Sequence, residues 1–447
     1  MQWKAEWAIF LLLAGLALES AQGGHVYWTD RRSGQTAIRR MGFDGSAPTT
    51  NTPLLSVSGD PRGMAVDGAG SRFFFGNGTQ IWRAQLDGTG GAAAITGQSA
   101  LRDVLFRRDL NALLWGDETA SLVRRADAAS FALSGAPDWP KPAAGAYYVE
   151  VAAQCGRVIW GDSDSTIYAV PLEGSTASVP LKTGLQGLRG IAFDPLTSHL
   201  YWCERDAKAV KRAPLTETAG VLALGAAQTV YGGLDTPHGL ALDVLARKLY
   251  WTDTGTNSGT GAGDSGVSRG DMDPPFGPQE ILIGAGNASA PPATVFATQA
   301  WDVDLDRMAT TYAAWVTRFF PRQAPAAQTA LDADPDQDGH TNLQEYVLGA
   351  NPLRLETGSL VKAVWTDQHG VTVMYRRRRN VTDAEHRVEI SADLLSWFTP
   401  SAQVAEASVT PVLEDESVED VVLAMPREYV RDNQQQFLRV RTLHLTP

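Results

Sequence analysis

Oxygen-bearing side chains recur between residues 334 and 345, in an arrangement suited to a hard metal ion. Carboxylates occupy the first, third, fifth and twelfth positions, a glycine the sixth and an amide the ninth. A hard divalent cation takes about six to eight oxygen ligands, and the glycine permits the sharp turn that gathers them. The predicted metal ligands are Asp334, Asp336, Asp338, His340 through its carbonyl, Asn342 and Glu345.

This spacing matches the twelve-residue calcium loop of EF-hand proteins, so we expect one structural Ca²⁺. An acidic turn without an ion is the alternative. Apolar residues at helical spacing predict a helix over residues 307–320, and a second, short helix over residues 343–348 that ends at Gly349. The arrangement resembles the helix, calcium loop and short helix that precede a terminal β-domain in many exported bacterial proteins.

Aromatic strands recur along the first 300 residues and must position any other site. Their anchor aromatics are spaced by about 40–50 residues, the period of a propeller blade. Asp67, Asp194 and Asp243 each close a Gly-x-Ala-x-Asp segment, eight residues before an anchor. The six strands are Tyr27-Trp28-Thr29-Asp30, Phe74-Phe75-Gly76, Leu114-Trp115-Gly116-Asp117, Ile159-Trp160-Gly161-Asp162, Tyr201-Trp202-Cys203-Glu204 and Tyr250-Trp251-Thr252-Asp253.

With both motifs in one register, residues 25–305 resemble the Tyr-Trp-Thr-Asp six-bladed β-propeller of the low-density lipoprotein receptor family. The resemblance implies four-stranded antiparallel blades around one channel, with structural roles for the motif Trp and Asp residues. Arg107 and Ala152 replace the segment-closing Asp in the third and fourth blades, which therefore depart from the pattern. The predicted fold class is mainly β: a six-bladed β-propeller, a short helical calcium-loop junction and a small C-terminal β-sandwich.

The first blade lacks its own first strand, because the chain reaches Tyr27 directly after the N-terminal segment. Residues 300–304 follow the small-apolar-x-apolar-Asp pattern and are either the missing closing strand or a linker. The residue thirteen before each anchor should lie at one mouth of the channel: Arg62, Arg102, Tyr147, Arg189 and His238, with Gln299 added by a closing strand. Guanidinium groups on such a rim suit carboxylate, sulfate or phosphate, and an ordinary polar rim is the alternative.

Three classes of function fit these features. The resemblance implies a secreted binding protein whose channel mouth holds an extracellular protein or glycan, including an anionic one. A hydrolase or lactonase with a channel metal is the alternative, since Asp103, Glu150 and Asp302 could approach the channel; a purely structural envelope component is the third. The cationic rim favours binding, so no catalytic residue is predicted, and a net charge of −12 disfavours a nucleic-acid partner.

The N-terminal segment indicates export. Lys4 precedes an apolar run over residues 7–18, and small residues suited to cleavage follow at Ala21 and Gly23. This is the pattern of a secretory signal peptide, with a membrane anchor as the weaker alternative. The predicted segments are a signal peptide (1–23), the propeller (24–305), the calcium-loop junction (306–356) and the β-sandwich-like domain (357–447), with no transmembrane segment in the mature chain.

Three further features have structural interpretations. Cys155 and Cys203 fall at opposite ends of predicted blade strands, so we expect both to be unpaired. Arg376–Arg379 form a basic run that we interpret as a solvated strand end rather than an anion-binding site. The sequence Trp365-Thr366-Asp367 imitates the blade motif, but it lies far outside the blade interval and is interpreted as a chance match.

Overall fold

The computed structural model describes residues 24–119, 122–133, 139–140, 145–162, 165–173, 178–255, 265–284, 294–295, 298–357, 359–366, 370–391, 394–397, 399, 405–412, 415–425 and 437–445. The predicted signal peptide, residues 1–23, lies outside them. The chain divides into two compact units, one consisting of His25–Asp306 and the other containing Arg307–Pro447.

The first unit is built from short strands and includes a 3-10 turn, Ala153–Cys155. Its first thirteen strands are β1 (His25–Asp30), β2 (Ala37–Gly42), β3 (Leu55–Ser56), β4 (Pro61–Asp67), β5 (Arg72–Asn77), β6 (Gln80–Gln85), β7 (Ala92–Ile95), β8 (Leu101–Arg107), β9 (Ala112–Asp117), β10 (Leu122–Asp127), β11 (Trp139–Pro140), β12 (Ala146–Ala152) and β13 (Arg157–Asp162). The others are β14 (Ile167–Pro171), β15 (Val179–Lys182), β16 (Leu188–Asp194), β17 (His199–Glu204), β18 (Ala209–Thr218), β19 (Val221–Leu224), β20 (Gln228–Gly232), β21 (Pro237–Asp243), β22 (Lys248–Asp253), β23 (Gly266–Asp271), β24 (Glu280–Gly284), β25 (Thr294–Val295) and β26 (Ala300–Asp306).

These strands form six small sheets arranged as a ring, which confirms the propeller. The sheets run β26-β1-β2-β3, β4-β5-β6-β7, β8-β9-β10-β11, β12-β13-β14-β15, β16-β17-β18 with β19 and β20 both on β18, and β21-β22-β23-β24-β25. Their first strands contact one another in a closed cycle, from β26 through β4, β8, β12, β16 and β21 back to β26. These six are therefore the inner strands around the channel.

The last strand of the unit closes the ring. β26 pairs antiparallel with β1 and supplies the strand that the first blade lacks, so the linker interpretation is wrong. Val303 lies opposite Trp28, as Met64 lies opposite Phe75 in the second blade. The register is therefore two residues later than the sequence pattern predicts: Trp301, not Gln299, is the equivalent of Arg62.

The cores lie between neighbouring blades. Trp202 is fully buried and belongs to one cluster with Leu188 of its own blade and Ile159 of the preceding blade. The motif glycines lie where the inner strands come closest. A Cβ on Gly190 would lie 2.6 Å from the carbonyl oxygen of His238, and one on Gly63 would overlap the backbone of Asp103. Glycine is required at both positions because the next inner strand occupies the space of a side chain.

We expect Gly63→Ala to lower the free energy of unfolding by about 1–3 kcal/mol, because the added methyl group must push two inner strands apart. The control is Gly91→Ala, whose new Cβ would lie 3.5 Å from the side chain of Leu55, an ordinary contact. Denaturant unfolding of both variants is the measurement. Equal stabilities would contradict the close approach of the strands.

In the part of the second unit that the structure describes, two helices combine with two sheets. Its elements are α1 (Tyr312–Phe319), α2 (Asn342–Leu348), β27 (Val361–Thr366), β28 (Gly370–Arg378), β29 (Ala384–Ser391), β30 (Ala405–Val412), β31 (Asp415–Met425) and β32 (Phe437–His444). One sheet runs β27-β28-β31-β30 and the other pairs β29 with β32. Val373 and Val421 of the first sheet pack with Val388 and Val440 of the second, as in a β-sandwich.

The helices and sheets of this unit are joined by buried polar contacts. Arg318 of α1 is fully buried and pairs with Asp415 of β31, which is also buried. Thr311 caps α1, so the helix begins at Tyr312 rather than at residue 307 as predicted. The predicted junction and the predicted β-domain therefore lie in one compact unit.

Two of the three structural interpretations agree with the fold, whereas the interpretation of the basic run as a solvated strand end is wrong. Both cysteines are free, and Cys203 is buried. The backbone of Trp365 and Thr366 pairs with β28, outside the propeller sheets. The basic run lies opposite the acidic strand β31, where Arg376 pairs with Asp420 and Arg377 with Glu419. Arg378 is buried and donates to the carbonyl of Tyr346 at 2.9 Å.

Candidate functional site

In several blades the polar residue at the end of the second strand holds the segment that leads into the inner strand. Asp30 accepts a hydrogen bond from the backbone N–H of Gln299 at 3.0 Å, and Asp253 accepts one from Thr236 at 2.6 Å. In the second blade Asn77 does the same for Asp60, at 2.9 Å. Each donor lies two residues before an inner-strand position at the channel mouth: Trp301, His238 and Arg62 respectively. The motif residue is therefore structural, because its hydrogen bond holds the backbone just before the side chain at the channel mouth.

The register places six equivalent side chains around one mouth of the channel. We call this set the rim: Arg62, Arg102, Tyr147, Arg189, His238 and Trp301. Five of them were predicted from the blade period. Trp301 was missed because its position depends on the register between β26 and β1, which are far apart in the sequence.

One half of the rim is organised around Trp301. The guanidinium carbon of Arg31 lies 4.0 Å from the centre of the indole ring, and that of Arg62 lies 5.1 Å from it. Both arginines form ion pairs with Asp60, which is 39% exposed. The Nη1 atom of Arg62 is buried and has no hydrogen-bond partner. This half of the rim therefore has an unsatisfied donor beside an aromatic ring.

The other half of the rim is organised around Tyr147. The guanidinium carbons of Arg102 and Arg189 lie 4.9 and 5.9 Å from the centre of its ring. Glu118 accepts hydrogen bonds from Arg102 at 2.7 Å and from the Tyr147 hydroxyl at 2.9 Å. Arg62 and Arg102 thus pair with different carboxylates, whereas Arg102 and Arg189 share one aromatic ring.

His238 occupies the rim position of its blade, but its side chain is buried. Its ring is buried, with a centroid 3.9 Å from that of Trp301, and its Nδ1 lies 3.0 Å from both the Tyr148 hydroxyl and the Trp301 carbonyl. Burial, followed by the charge of Arg189, holds the pKa of His238 well below its usual value. His238 is therefore neutral and supports Trp301 rather than offering a positive charge.

Four carboxylates line the channel just inside the rim, and each reaches the inner strand of the next blade. Asp302 accepts from the N–H of Met64 at 2.8 Å and Asp304 from Val66 at 2.7 Å. Asp103 accepts from Val149 at 2.9 Å, and Glu150 from Phe193 at 3.1 Å. These acids satisfy backbone N–H groups that face the channel and have no neighbouring strand.

The channel acids interact with one another unfavourably when charged. Burial, followed by the charges of Glu150 and Asp304, raises the pKa of Asp103 to about 7. Burial and the charge of Asp103 hold the pKa of Asp302 well above its usual value. The channel therefore favours protonated carboxyl groups near neutral pH.

The calcium loop has a different geometry, because several of its buried oxygens lack hydrogen-bond partners. Carboxylate oxygens of Asp334, Asp336 and Asp338 lie within 4.8 Å of one another. Glu345 is fully buried, and neither of its carboxylate oxygens has a hydrogen-bond partner. The remaining buried oxygens without partners in the loop are Asp334 Oδ1, Asp336 Oδ2 and Asn342 Oδ1.

The contacts of Asn342 and the charges near Glu345 show why these loop oxygens suit a cation. Asn342 is buried and donates both its amide hydrogen bonds away from the loop, to the carbonyls of Gln328 at 2.8 Å and Ala330 at 2.7 Å. Burial, followed by the charges of Asp336 and Asp338, raises the pKa of Glu345 to about 9. Unpartnered buried oxygens are rare in folded proteins, and these fit the ligand set of a hard cation. His340 contributes no side-chain ligand to this set.

The closed ring and the motif strands define a six-bladed β-propeller, and sequence matches support the Tyr-Trp-Thr-Asp type. The chain is 34% identical over 92 residues to low-density lipoprotein receptor-related protein 5 of Mus musculus, covering 21% of this chain and 6% of the relative. It is 28% identical over 190 residues to protein cueball of Drosophila grimshawi, covering 40% and 27%. These matches span less than a third of either relative.

Two further proteins are similar to parts of this chain. Protein cueball of Drosophila erecta is 37% identical over 73 residues, or 16% of this chain and 11% of the relative. A chain in the crystal structure of a nidogen/laminin complex aligns with a TM-score of 0.47 and 15% identity, over 63% of this chain and 98% of that one. No family model matches the chain. Among the described residues, no helix is both long and apolar enough to span a bilayer.

The raised pKa of Asp103 predicts that the propeller loses stability as pH rises. Between the usual value of about 4 and about 7, the folded state holds a proton that the unfolded chain has released. This stabilising contribution is complete below the lower value and is lost as pH rises through the upper one. We expect it to be about 1–2 kcal/mol, allowing for water in the channel.

Thermal unfolding at a series of pH values from 5 to 8 is the measurement. Asp103→Asn should flatten the pH dependence, although losing one hydrogen-bond acceptor lowers stability at every pH. Asp87→Asn is the control, because hydrogen bonds to Thr89 lower the pKa of this exposed carboxylate, so it titrates below the range studied. Parallel curves for the wild type and Asp103→Asn would contradict the assignment.

Proposed function

We propose that this chain is an exported binding protein whose propeller rim holds an acidic region of an extracellular protein partner. The observation that carries the proposal is the buried Nη1 of Arg62, which has no hydrogen-bond partner and lies beside Trp301. Because Nη1 is buried, a ligand carboxylate would accept this hydrogen bond once the Arg62 side chain, which is 17% exposed, turns outward; the indole ring provides apolar contact next to it. The partial match to a receptor-related protein supports binding as the general class of function.

The channel acids favour binding over hydrolysis. Asp103, Glu150 and Asp302 are the groups that a channel metal would require, but each already accepts a backbone N–H from the next blade or from its own strand. Within the described ranges, the three acidic side chains close enough together to hold a metal are Asp334, Asp336 and Asp338. Export is supported by the signal pattern of residues 1–23.

The rim proposal predicts selective binding of a polyanion. Poly-glutamate should stabilise the protein against heat according to RT ln(1 + [L]/Kd), and poly-glutamine should not. We expect Arg62→Ala combined with Arg189→Ala to weaken poly-glutamate binding about tenfold or more, since charge-assisted hydrogen bonds contribute about 1.5–3 kcal/mol each. Added salt should weaken the wild-type interaction.

The matched control for the rim is Arg322→Ala, which removes an exposed arginine from the second unit. It should bind poly-glutamate as the wild type does. If the double variant and the control respond alike, the ligand does not bind at the rim.

We also propose that the loop 334–345 binds one Ca²⁺ that rigidifies the second unit. The ligands are the carboxylates of Asp334, Asp336, Asp338 and Glu345, the amide oxygen of Asn342 and the carbonyl of His340. Full burial of Glu345 without a hydrogen-bond partner supports this, because an isolated buried carboxylate is strongly destabilising and a bound cation would neutralise it.

Titration calorimetry with CaCl₂ tests the calcium loop. We expect the wild type to bind with a Kd of about 10⁻⁴–10⁻³ M, the range of extracellular modules. Asp334→Ala should abolish measurable binding, since it removes the first ligand of the loop. Asp420→Ala, which removes an exposed carboxylate from β31, is the control. Equal heats from the wild type and Asp334→Ala would contradict the site.

A further inference from the structure

The half of the rim around Trp301 has more positive than negative charge. The guanidinium groups of Arg31 and Arg62 lie over the indole ring, and both pair with the carboxylate of Asp60. Two guanidinium groups and one carboxylate leave one positive charge in excess. The Nε of Arg62 donates to Asp60 at 2.6 Å, whereas its Nη1 has no hydrogen-bond partner. This half therefore has the charge and the donor to hold one carboxylate of a ligand.

The half around Tyr147 repeats the same combination with residues of other blades. The guanidinium groups of Arg102 and Arg189 lie over its ring, and Glu118 is the carboxylate that pairs with Arg102. Arg189 also donates to the carbonyl of Leu188 at 2.6 Å. Here too, two guanidinium groups and one carboxylate surround one aromatic ring. This half therefore has the same excess of one positive charge.

The two aromatic rings lie on opposite sides of the channel. The inner strands contact one another in the order β26, β4, β8, β12, β16, β21 and back to β26. Trp301 belongs to β26 and Tyr147 to β12, three steps away in either direction. Neighbouring sheets pack about 10 Å apart, so opposite members of a ring of six are separated by about 20 Å or less.

The groups between the two halves do not favour an anion. Just inside the rim, Asp302 and Asp103 accept the N–H groups of Met64 and Val149. Neither carboxyl group offers the positive charge that attracts an acidic ligand. The side chain of His238, which completes the rim on one side, is buried. Two separate positions for acidic groups therefore flank a centre that suits neutral or donor groups.

We propose that the rim binds its partner at two points, through two acidic side chains about four to six residues apart in one extended segment that crosses the channel mouth. This inference rests on the proposed function of the rim. One carboxylate pairs with the arginines around Trp301 and the other with those around Tyr147. An extended chain advances about 3.3 Å per residue, so a separation of five residues spans about 17 Å. Linking the two contacts in one segment strengthens binding, because the second contact is intramolecular.

Two peptides of identical composition test the spacing. Both are end-blocked hexapeptides of two glutamates and four glutamines; one has a glutamate at each end, and the other has both glutamates side by side in the middle. Their equal charge makes long-range attraction to the protein alike. We expect the end-spaced peptide to displace fluorescent poly-glutamate from the full chain at a concentration about tenfold lower, because it alone spans both halves.

Variants assign one point to each half. Arg31→Ala and Arg102→Ala each leave one arginine and one carboxylate in their half, which then has no net charge. We expect either variant to bind the two peptides with equal affinity, since one contact remains. Arg83→Ala, which removes an exposed arginine from β6, is the matched control and should keep the wild-type preference. Binding of the peptide with adjacent glutamates needs one half only and should persist in both rim variants.

The outcomes separate this proposal from the function on which it rests. Equal displacement by the two peptides with wild-type protein would overturn two-point binding and leave the rim function intact. The same holds if Arg31→Ala or Arg102→Ala keeps the wild-type preference, or if either variant no longer binds the peptide with adjacent glutamates, because the halves would then not act as two separate points. No binding of poly-glutamate by the wild type would overturn both.

Discussion

The pairing of β26 with β1 is the interaction on which the first unit depends. It joins the two ends of that unit, gives the first blade its fourth strand and brings Asp302 and Asp304 onto β4. It also places Trp301 over His238 and beside Arg62. Because the entropy lost on closing a loop rises only slowly with its length, such a distant pair of strands can close the ring.

Around the channel, two kinds of residue allow the inner strands to pack closely. Inner strands approach each other too closely for large side chains, and their inward N–H groups have no strand beside them. Glycine at positions such as Gly63 and Gly190 permits the close approach. In other blades an acid, such as Asp103, stands at the equivalent position and accepts an N–H of the next blade. These acids place several carboxyl groups close together in a narrow channel, where their negative charges would repel one another.

Most of the correct predictions came from local sequence patterns. The blade period and the two motifs are short-range features, and they predicted the propeller and five of the six rim positions. The ligand spacing of the loop is local as well, although calcium binding itself stays a prediction. Features that depend on pairing between distant strands could not be predicted from the sequence. Placing Trp301 on the rim, for example, required the register between β26 and β1. Asp60 and Glu118, which neutralise rim arginines, belong to no repeat.

The two units deal with buried acidic groups in opposite ways. In the propeller, carboxylates such as Asp302 have backbone N–H donors and neighbours whose charges keep them protonated, so the ring can be complete without an ion. In the loop, neither buried oxygen of Glu345 has a hydrogen-bond donor, and the charges of four other acids raise its pKa. In the propeller channel, the repulsion between carboxylates is removed by protonating individual groups. The loop gathers several oxygens around one point, and a divalent cation is the single species that neutralises them together.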